Sequence, residues 1–174
     1  MTSTSSSSAN ASLLEGSWSL DPHQTTVEFR TKALWVFPVK GKAKVTGGGA
    51  VVGSDGSITG TLVIDAASID TKNKKRDDHL RTADFFEVIK YPTITFEVTR
   101  GRVVSSGKTE LEGTLTVHGQ SRPLAITADV KTSGDSAVLS TEVEIDRRSW
   151  GLSLAPFGAG FKNRVTVSAT FSRS

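Results

Sequence analysis

From Thr25 onward the chain alternates apolar and polar residues one for one, a period that restricts it to strands with one dry and one wet face. In Thr93 to Arg100, Ile94, Phe96 and Val98 face one way, and Thr93, Thr95, Glu97 and Thr99 the other. Lys108 to His118, Pro123 to Lys131 and Arg164 to Ser172 repeat the pattern. Weaker alternation marks Thr25 to Arg30, Lys42 to Val52, Ser57 to Asp65 and Ala137 to Ile145, and turns such as Gly53-Ser54-Asp55-Gly56 separate the segments. The spacing predicts an all-β domain of eight antiparallel strands. Period two fails only in Asn73 to Phe86, where Leu80, Ala83 and Phe86 recur at helical spacing and predict one short helix between strands. A closed barrel removes the sticky edges that a flat sheet leaves, while a two-sheet sandwich fits the same alternation.

The inward face carries Phe29, Ile64, Phe96, Leu115, Ile126, Val143 and Phe171 beside small residues at Ala43, Gly60, Gly113, Ala128 and Ala169. An eight-stranded barrel is either filled by its own side chains or holds one small ligand. Taken alone, these residues favour the packed core over the lumen.

Other chemistries are narrowed by what the chain lacks. The 174 residues suit one core, and Cys 0 excludes disulfides, thiolate metal sites and cysteine nucleophiles. His23, His79 and His118 lie far apart with no paired spacing, so no metal site or cofactor is expected. A formal charge of +3 spread along the chain gives no reason to expect nucleic acid. Residues 1–12 hold no large apolar side chain after Met1, so residues 1–15 read as a disordered Ser-rich tail before a domain at 16–174. The start has neither basic residues nor the about 7 to 15 apolar residues of a secretory signal, which predicts a cytoplasmic protein. The longest apolar run, Ala33 to Val39, is far below the roughly 18 to 20 residues that span a bilayer.

Several local clusters invite a sharper reading. Arg76-Asp77-Asp78-His79 places acid, base and cation together, but no nucleophile stands beside them, and ion pairing and capping on a helix account for them better than catalysis. The cluster Lys72 to Arg76 reads as a solvated face, with an anionic head group as the alternative. Gly47-Gly48-Gly49 and Gly158-Ala159-Gly160 lack the strand, helix and Lys of a phosphate loop, and Gly151 to Ala155 lacks the second Gly of a nucleophile elbow. Ala33 to Pro38 and Ser149 to Phe161 are apolar yet broken by Pro and Gly. They suit either a plug or dimer contact, or an apolar mouth that admits a lipid tail.

The run Val63 to Glu97 contains Ser68-Ile69-Asp70-Thr71, Asn73 with Arg76-Asp77, His79-Leu80, Asp84-Phe85-Phe86, Tyr91-Pro92 and Ile94-Thr95-Phe96 in that order. Trp18-Ser19-Leu20-Asp21-Pro22, Gly113 to Gly119, Ile145-Asp146-Arg147 and Trp150-Gly151-Leu152 flank it. On these motifs, residues 16 to 172 resemble the YceI-like family of lipocalin-like, polyisoprenoid-binding proteins. The resemblance implies a lipocalin-like barrel with an apolar tunnel, which reverses the order of packed core and lumen. It implies a non-catalytic carrier of a polyisoprenoid or other long-chain lipid, with a homodimer as the candidate assembly. The expected lining is Phe29, Trp35, Phe37, Ile64, Phe85, Phe86, Phe96, Leu115, Trp150, Leu152, Phe157 and Phe161, with Arg76 and His79 as head-group candidates. Where the family usually has two histidines near its first strand, this chain has Gln24 and Ala33.

Overall fold

The computed structural model describes residues 14–33, 37–105, 107–153 and 160–174, with the side chains of Lys32, Ala33 and Phe37 outside that description. Alternation becomes strand throughout. The strands are β1 (Gly16–Leu20), β2 (Thr26–Ala33), β3 (Phe37–Ala43), β4 (Val45–Val52), β5 (Ile58–Asp65), β6 (Thr93–Ser105), β7 (Lys108–Val117), β8 (Gln120–Ser133), β9 (Ser136–Asp146) and β10 (Lys162–Arg173). Every pairing is antiparallel, in the order β1, β4, β5, β6, β7, β8, β9, β10, and β10 returns to β1. The ring therefore closes on eight strands.

Ten segments make eight staves because two staves are bent. β1 and β2 are one path interrupted by a turn at Pro22–Gln24, and β3 and β4 are another, interrupted at Lys44. β10 pairs with β1 through Phe171 to Arg173 and with β2 through Arg164 to Ser168. Asp21 makes the first bend by accepting from the His23 amide at 3.0 Å and from Gln24 Nε2 at 2.8 Å. The β2–β3 hairpin extends beyond the ring, and β3 has only β2 as a ladder partner apart from one bridge between Lys42 and Asp70.

Two glycines permit close strand contact. Gly48 sits at φ 153°, beside a register shift between Val45 and Gly47, and a Cβ there would lie 2.4 Å from the Thr61 carbonyl oxygen. At Gly113 a Cβ would lie 2.1 Å from the Glu97 carbonyl oxygen, next to a shift between Val98 and Arg100. Such bulges increase local twist and help a sheet to curl.

The helix α1 spans Lys74–Leu80 and is shorter than the spacing of Leu80, Ala83 and Phe86 predicts. Asn73 caps its start by accepting from the Arg76 amide. At its end both the Thr82 amide and hydroxyl donate to the His79 carbonyl, so the chain turns before Ala83 can extend the helix.

The barrel ends differ. At one end β4 and β5 meet in the tight turn at residues 53–57, alongside the β8–β9 turn. The other carries all the longer connections, including residues 66–92 with α1 and residues 147–161. Buried side chains form three apolar clusters. Trp18, Val52, Ile58, Leu111, Ala128 and Ala137 fill the tight-turn end. Leu20, Val27, Val45, Ile64 and Ala169 form the second, and Leu115, Val117, Trp150 and Leu152 the third, beneath the long connections.

Candidate functional site

Between the tight-turn cluster and the middle of the barrel lies an apolar cavity of about 100 Å³. Trp18, Val52 and Ile58 bound it toward the tight turns, and Phe96, Leu62 and Val167 toward the middle. Its volume comes from small inward residues, Ala137 and Ala169, where neighbouring positions carry Leu or Phe. The indole of Trp18 donates outward to the Leu14 carbonyl at 2.9 Å, so its polar edge does not face the void. Thr109 is the polar side chain buried most deeply in the lining.

Above the cavity, the third cluster separates the lumen from the long connections. Trp150 is buried, and its Nε1 donates to the Leu115 carbonyl at 2.8 Å, which fastens the 147–152 turn onto β7. Phe86 packs against this cluster from the other connection. Arg147 spans both: its Nε donates to the Gly160 carbonyl at 3.0 Å, and its guanidinium lies 5.7 Å from the Phe85 ring centre and 4.8 Å from that of Phe161. Burial lowers the pKa of this guanidinium, because withdrawal from water penalises the charged form. Next to it, the hydrogen bond from Arg148 holds the Asp146 carboxyl down at about 2.

The model of the YceI-like domain matches residues 18–172, nearly the whole of the barrel. The chain belongs to the YceI-like family. The YceI-like chain is 39% identical over 71 residues to a UPF0312 protein of Vibrio cholerae, a stretch covering 41% of this chain and 38% of that protein. It is 38% identical over 68 residues to a UPF0312 protein of Ectopseudomonas mendocina, covering 39% and 36%. These matches thus span less than two fifths of the length of those relatives. Among solved structures, the YceI-like barrel superposes on Burkholderia cenocepacia BcnA with a TM-score of 0.79 at 18% identity, covering 87% of this chain and 98% of that one. A polyisoprenoid binding domain from Saccharophagus degradans gives 0.71 at 15% identity, covering 90% and 98%. The YCEI protein of Campylobacter jejuni gives 0.65 at 23%, covering 78% and 85%.

The family motifs of this YceI-like domain prove to be joints of the scaffold. Asp77 is buried, and its carboxylate accepts from the Thr71 amide at 3.0 Å and from the Thr71 hydroxyl. Arg76 grips the same residue, with Nε on Thr71 Oγ1 at 2.8 Å and a terminal nitrogen on the Thr71 carbonyl at 2.9 Å. Arg81 donates to the carbonyls of Ala67 and Ile69 and pairs with Asp78 at 3.1 Å. Asp78 also pairs with Lys74, whose hydrogen bond is the largest influence lowering its pKa. These contacts tie residues 66–73 to α1. His79 turns outward to Asp84 at 2.8 Å and lies edge-on to Phe85, centroids 5.2 Å apart.

The expected lining residues therefore occupy several environments. Phe96 borders the cavity. Ile64 lies in the second cluster, and Leu115, Trp150 and Leu152 form the third. Phe85 is buried against His79 and Arg147, Phe86 is half-buried, and Phe161 lies under Arg147 and Arg148. Phe29 lies over Gly41, where a Cβ would come 2.3 Å from its ring. Phe37 contributes backbone to β3, while Trp35 and Phe157 lie outside the described residues. Gln24 is exposed and held by Asp21, and Ala33 ends β2. Among the described residues no group of three or more His, Asp or Glu could hold a metal, and no helix is long and apolar enough to cross a membrane.

Sequence reasoning missed most of the cavity wall: Trp18, Val52, Ile58, Leu111, Ala137 and Val167. Their period-two positions were available as a signal, but period tells which face a residue occupies and not at which height a void remains.

Proposed function

We propose that this YceI-like domain is a non-catalytic carrier that buries the hydrocarbon chain of a polyisoprenoid or similar long-chain amphiphile in its barrel and leaves the polar end at the long-connection mouth. The observation that carries this reading is the apolar void of about 100 Å³ inside a closed barrel. A dry cavity of about 150 Å³ admits benzene, so this void takes one small apolar group and not a whole chain. A longer ligand requires the Leu115, Trp150 and Leu152 cluster to part from Phe86, extending the void toward the mouth. Phe29, Phe85 and Phe161 then border the added length, with Arg76 and the partly exposed His79 as head-group candidates. The likeness to a domain described as polyisoprenoid binding supports the ligand class.

The energetics allow it. At about 0.3 kcal/mol per non-hydrogen atom, a chain of roughly forty carbons binds near −12 kcal/mol without covalent or metal anchoring. The test is native mass spectrometry of the purified protein, with organic extraction and titration of stripped protein with a fluorescent polyprenol. We expect one lipid per barrel. An apo mass alone, with no uptake of the polyprenol, removes the carrier reading and leaves a packed structural barrel. A cytoplasmic location and homodimer formation belong to the same proposal, and cell fractionation and light scattering test them.

A further inference from the structure

We propose that Thr109 makes the deep chamber of the barrel a subsite for an oxygen-bearing terminus: a compact neutral group with one carbonyl or hydroxyl oxygen on a hydrocarbon body. The inference deepens the carrier reading and rests on it for the chamber being a ligand site. What it adds is the chemistry of the guest's buried end. β7 turns Thr109, Leu111, Gly113, Leu115 and Val117 toward the interior, and Thr109 is the one polar side chain in that row. Its neighbours in register are Val103 on β6 and Ala128 on β8, which offer no side-chain partner.

Thr109 is 2% exposed, and its hydroxyl makes no hydrogen bond among the described residues. The other buried threonines all use theirs. Thr25 donates to the Asp21 carbonyl at 2.7 Å, Thr71 to the Asp77 carboxylate and Thr141 to the Thr127 carbonyl at 2.8 Å. An unpaired hydroxyl in an apolar interior costs free energy, so packing alone would place Val here, which has the same shape and also favours strands. Nor is the Thr109 oxygen walled in. Among the described residues the one fully enclosed side-chain polar atom without a partner is His118 Nδ1, at the opposite end of β7. Thr109 Oγ1 therefore has open space beside it, and the space that Thr109 borders is the cavity of about 100 Å³.

The rest of the wall is dry. Thr61, the other threonine along it, is exposed to solvent, and the Trp18 indole donates away to Leu14. One hydroxyl in a hydrocarbon wall selects its occupant. A lone water fits poorly, because a buried water needs about two to four polar partners. A pure hydrocarbon leaves the hydroxyl unpaired, and a charged group finds no counter-charge in the lining. A group with a single oxygen satisfies it, since a threonine hydroxyl donates to a carbonyl and accepts from an alcohol. The volume limits that group to about six heavy atoms, given that benzene occupies a dry cavity of about 150 Å³. The preferred guest thus carries an oxygen at its buried end.

The test uses two probes of one shape, cyclopentanone and methylenecyclopentane, which differ by an oxygen in place of a methylene group. Each is titrated into the whole protein, with affinity read from amide shifts along β7 and β8. The ketone-to-alkene affinity ratio should be roughly tenfold higher in the parent than in Thr109→Val. Thr109→Ser keeps the hydroxyl and should keep the parent's ratio. Thr109→Val should melt no lower than the parent, since it buries no unpaired hydroxyl, and that separates lost selectivity from lost folding. Ala137→Leu combined with Ala169→Leu fills the void and should abolish binding of both probes. The proposal is overturned if the parent binds neither probe, if the ratio is the same in Thr109→Val, if the filled variant still binds them, or if Thr109→Val melts lower. Titration with polyprenol, whose buried end is hydrocarbon, keeps the carrier reading distinct, and Thr109→Val should take it up at least as tightly as the parent. Polyprenol uptake with an unmoved ratio removes the subsite alone. A shifted ratio without polyprenol uptake removes the carrier reading and leaves the chamber as a site for small oxygenated molecules.

Discussion

Glu87 and His118 face each other at 3.3 Å, carboxylate to Nε2, and both hold their backbones in the left-handed region, at φ 48° and 53°. His118 and Gly119, at φ 71°, form the two-residue loop between β7 and β8, the pattern of a primed hairpin turn. Tyr91 lies edge-on to the imidazole, centroids 4.9 Å apart, and so joins the two connections. His118→Asn and His118→Val both delete the Glu87 and Tyr91 contacts, but only Val is β-branched at a positive φ. Val should therefore cost about 1 to 3 kcal/mol more than Asn in urea denaturation. Equal losses would assign the cost to the imidazole contacts instead.

Phe85 and Phe86 are adjacent but serve different packing. Phe85→Ala removes a ring buried at 6% exposure against His79 and Arg147 and should cost about 3 to 5 kcal/mol. Phe86→Ala acts on a half-buried ring over the Trp150 cluster and should cost less while changing polyprenol affinity more. Melting curves and displacement titrations compare the two. Similar stability losses with unchanged affinity would make the pair ordinary core.

The cavity can be filled from within. Ala137→Leu combined with Ala169→Leu places extra methyl groups into the void that both residues line. Stability should change by less than about 1.5 kcal/mol, because added volume meets space and not packed atoms. Polyprenol uptake should fall sharply. Unchanged uptake would place the ligand elsewhere in the barrel.

Acid should act on the mouth through Asp146. Its carboxylate accepts from the Arg148 side chain and amide, which lowers its folded pKa to about 2. A depressed folded pKa gives stability that is complete above the ordinary carboxylate range and disappears as pH falls through the folded value. The stability advantage of the parent over Asp146→Asn should thus be constant above about pH 4 and shrink toward about pH 2. An advantage independent of pH would show that the charge of Asp146 is not what stabilises the 147–150 turn.

The wall of the barrel was legible because each strand carries its own address: Val165, Val167 and Phe171 face inward as the alternation of β10 requires. Two segments were harder to see. β1 has five residues, too few to establish a period, and Pro38 and Gly41 interrupt the pattern of β3. α1 stops at Leu80 because Thr82 competes for the His79 carbonyl, a local hydrogen bond that helical spacing does not register. The role of Asp77 was legible only as a choice between structure and chemistry, since its partner Thr71 is fixed by how the 66–73 connection folds back. The cavity depends on side chains meeting across the barrel, information that no single strand contains.

The break between β1 and β2 divides the duties of β10 along its length. The ring is shut through β1, so the β2–β3 hairpin can swing out from β10 without unzipping the closed circuit. Such an excursion breaks the pairs of one hairpin and leaves the rest of the ladder intact, a sub-global opening with its own free energy and rate. For the proposed carrier, guest exchange would then have a clock separate from the unfolding of the protein. In amide exchange, residues 26–43 should lose protection earlier than β7 or β9 and on the timescale of lipid transfer.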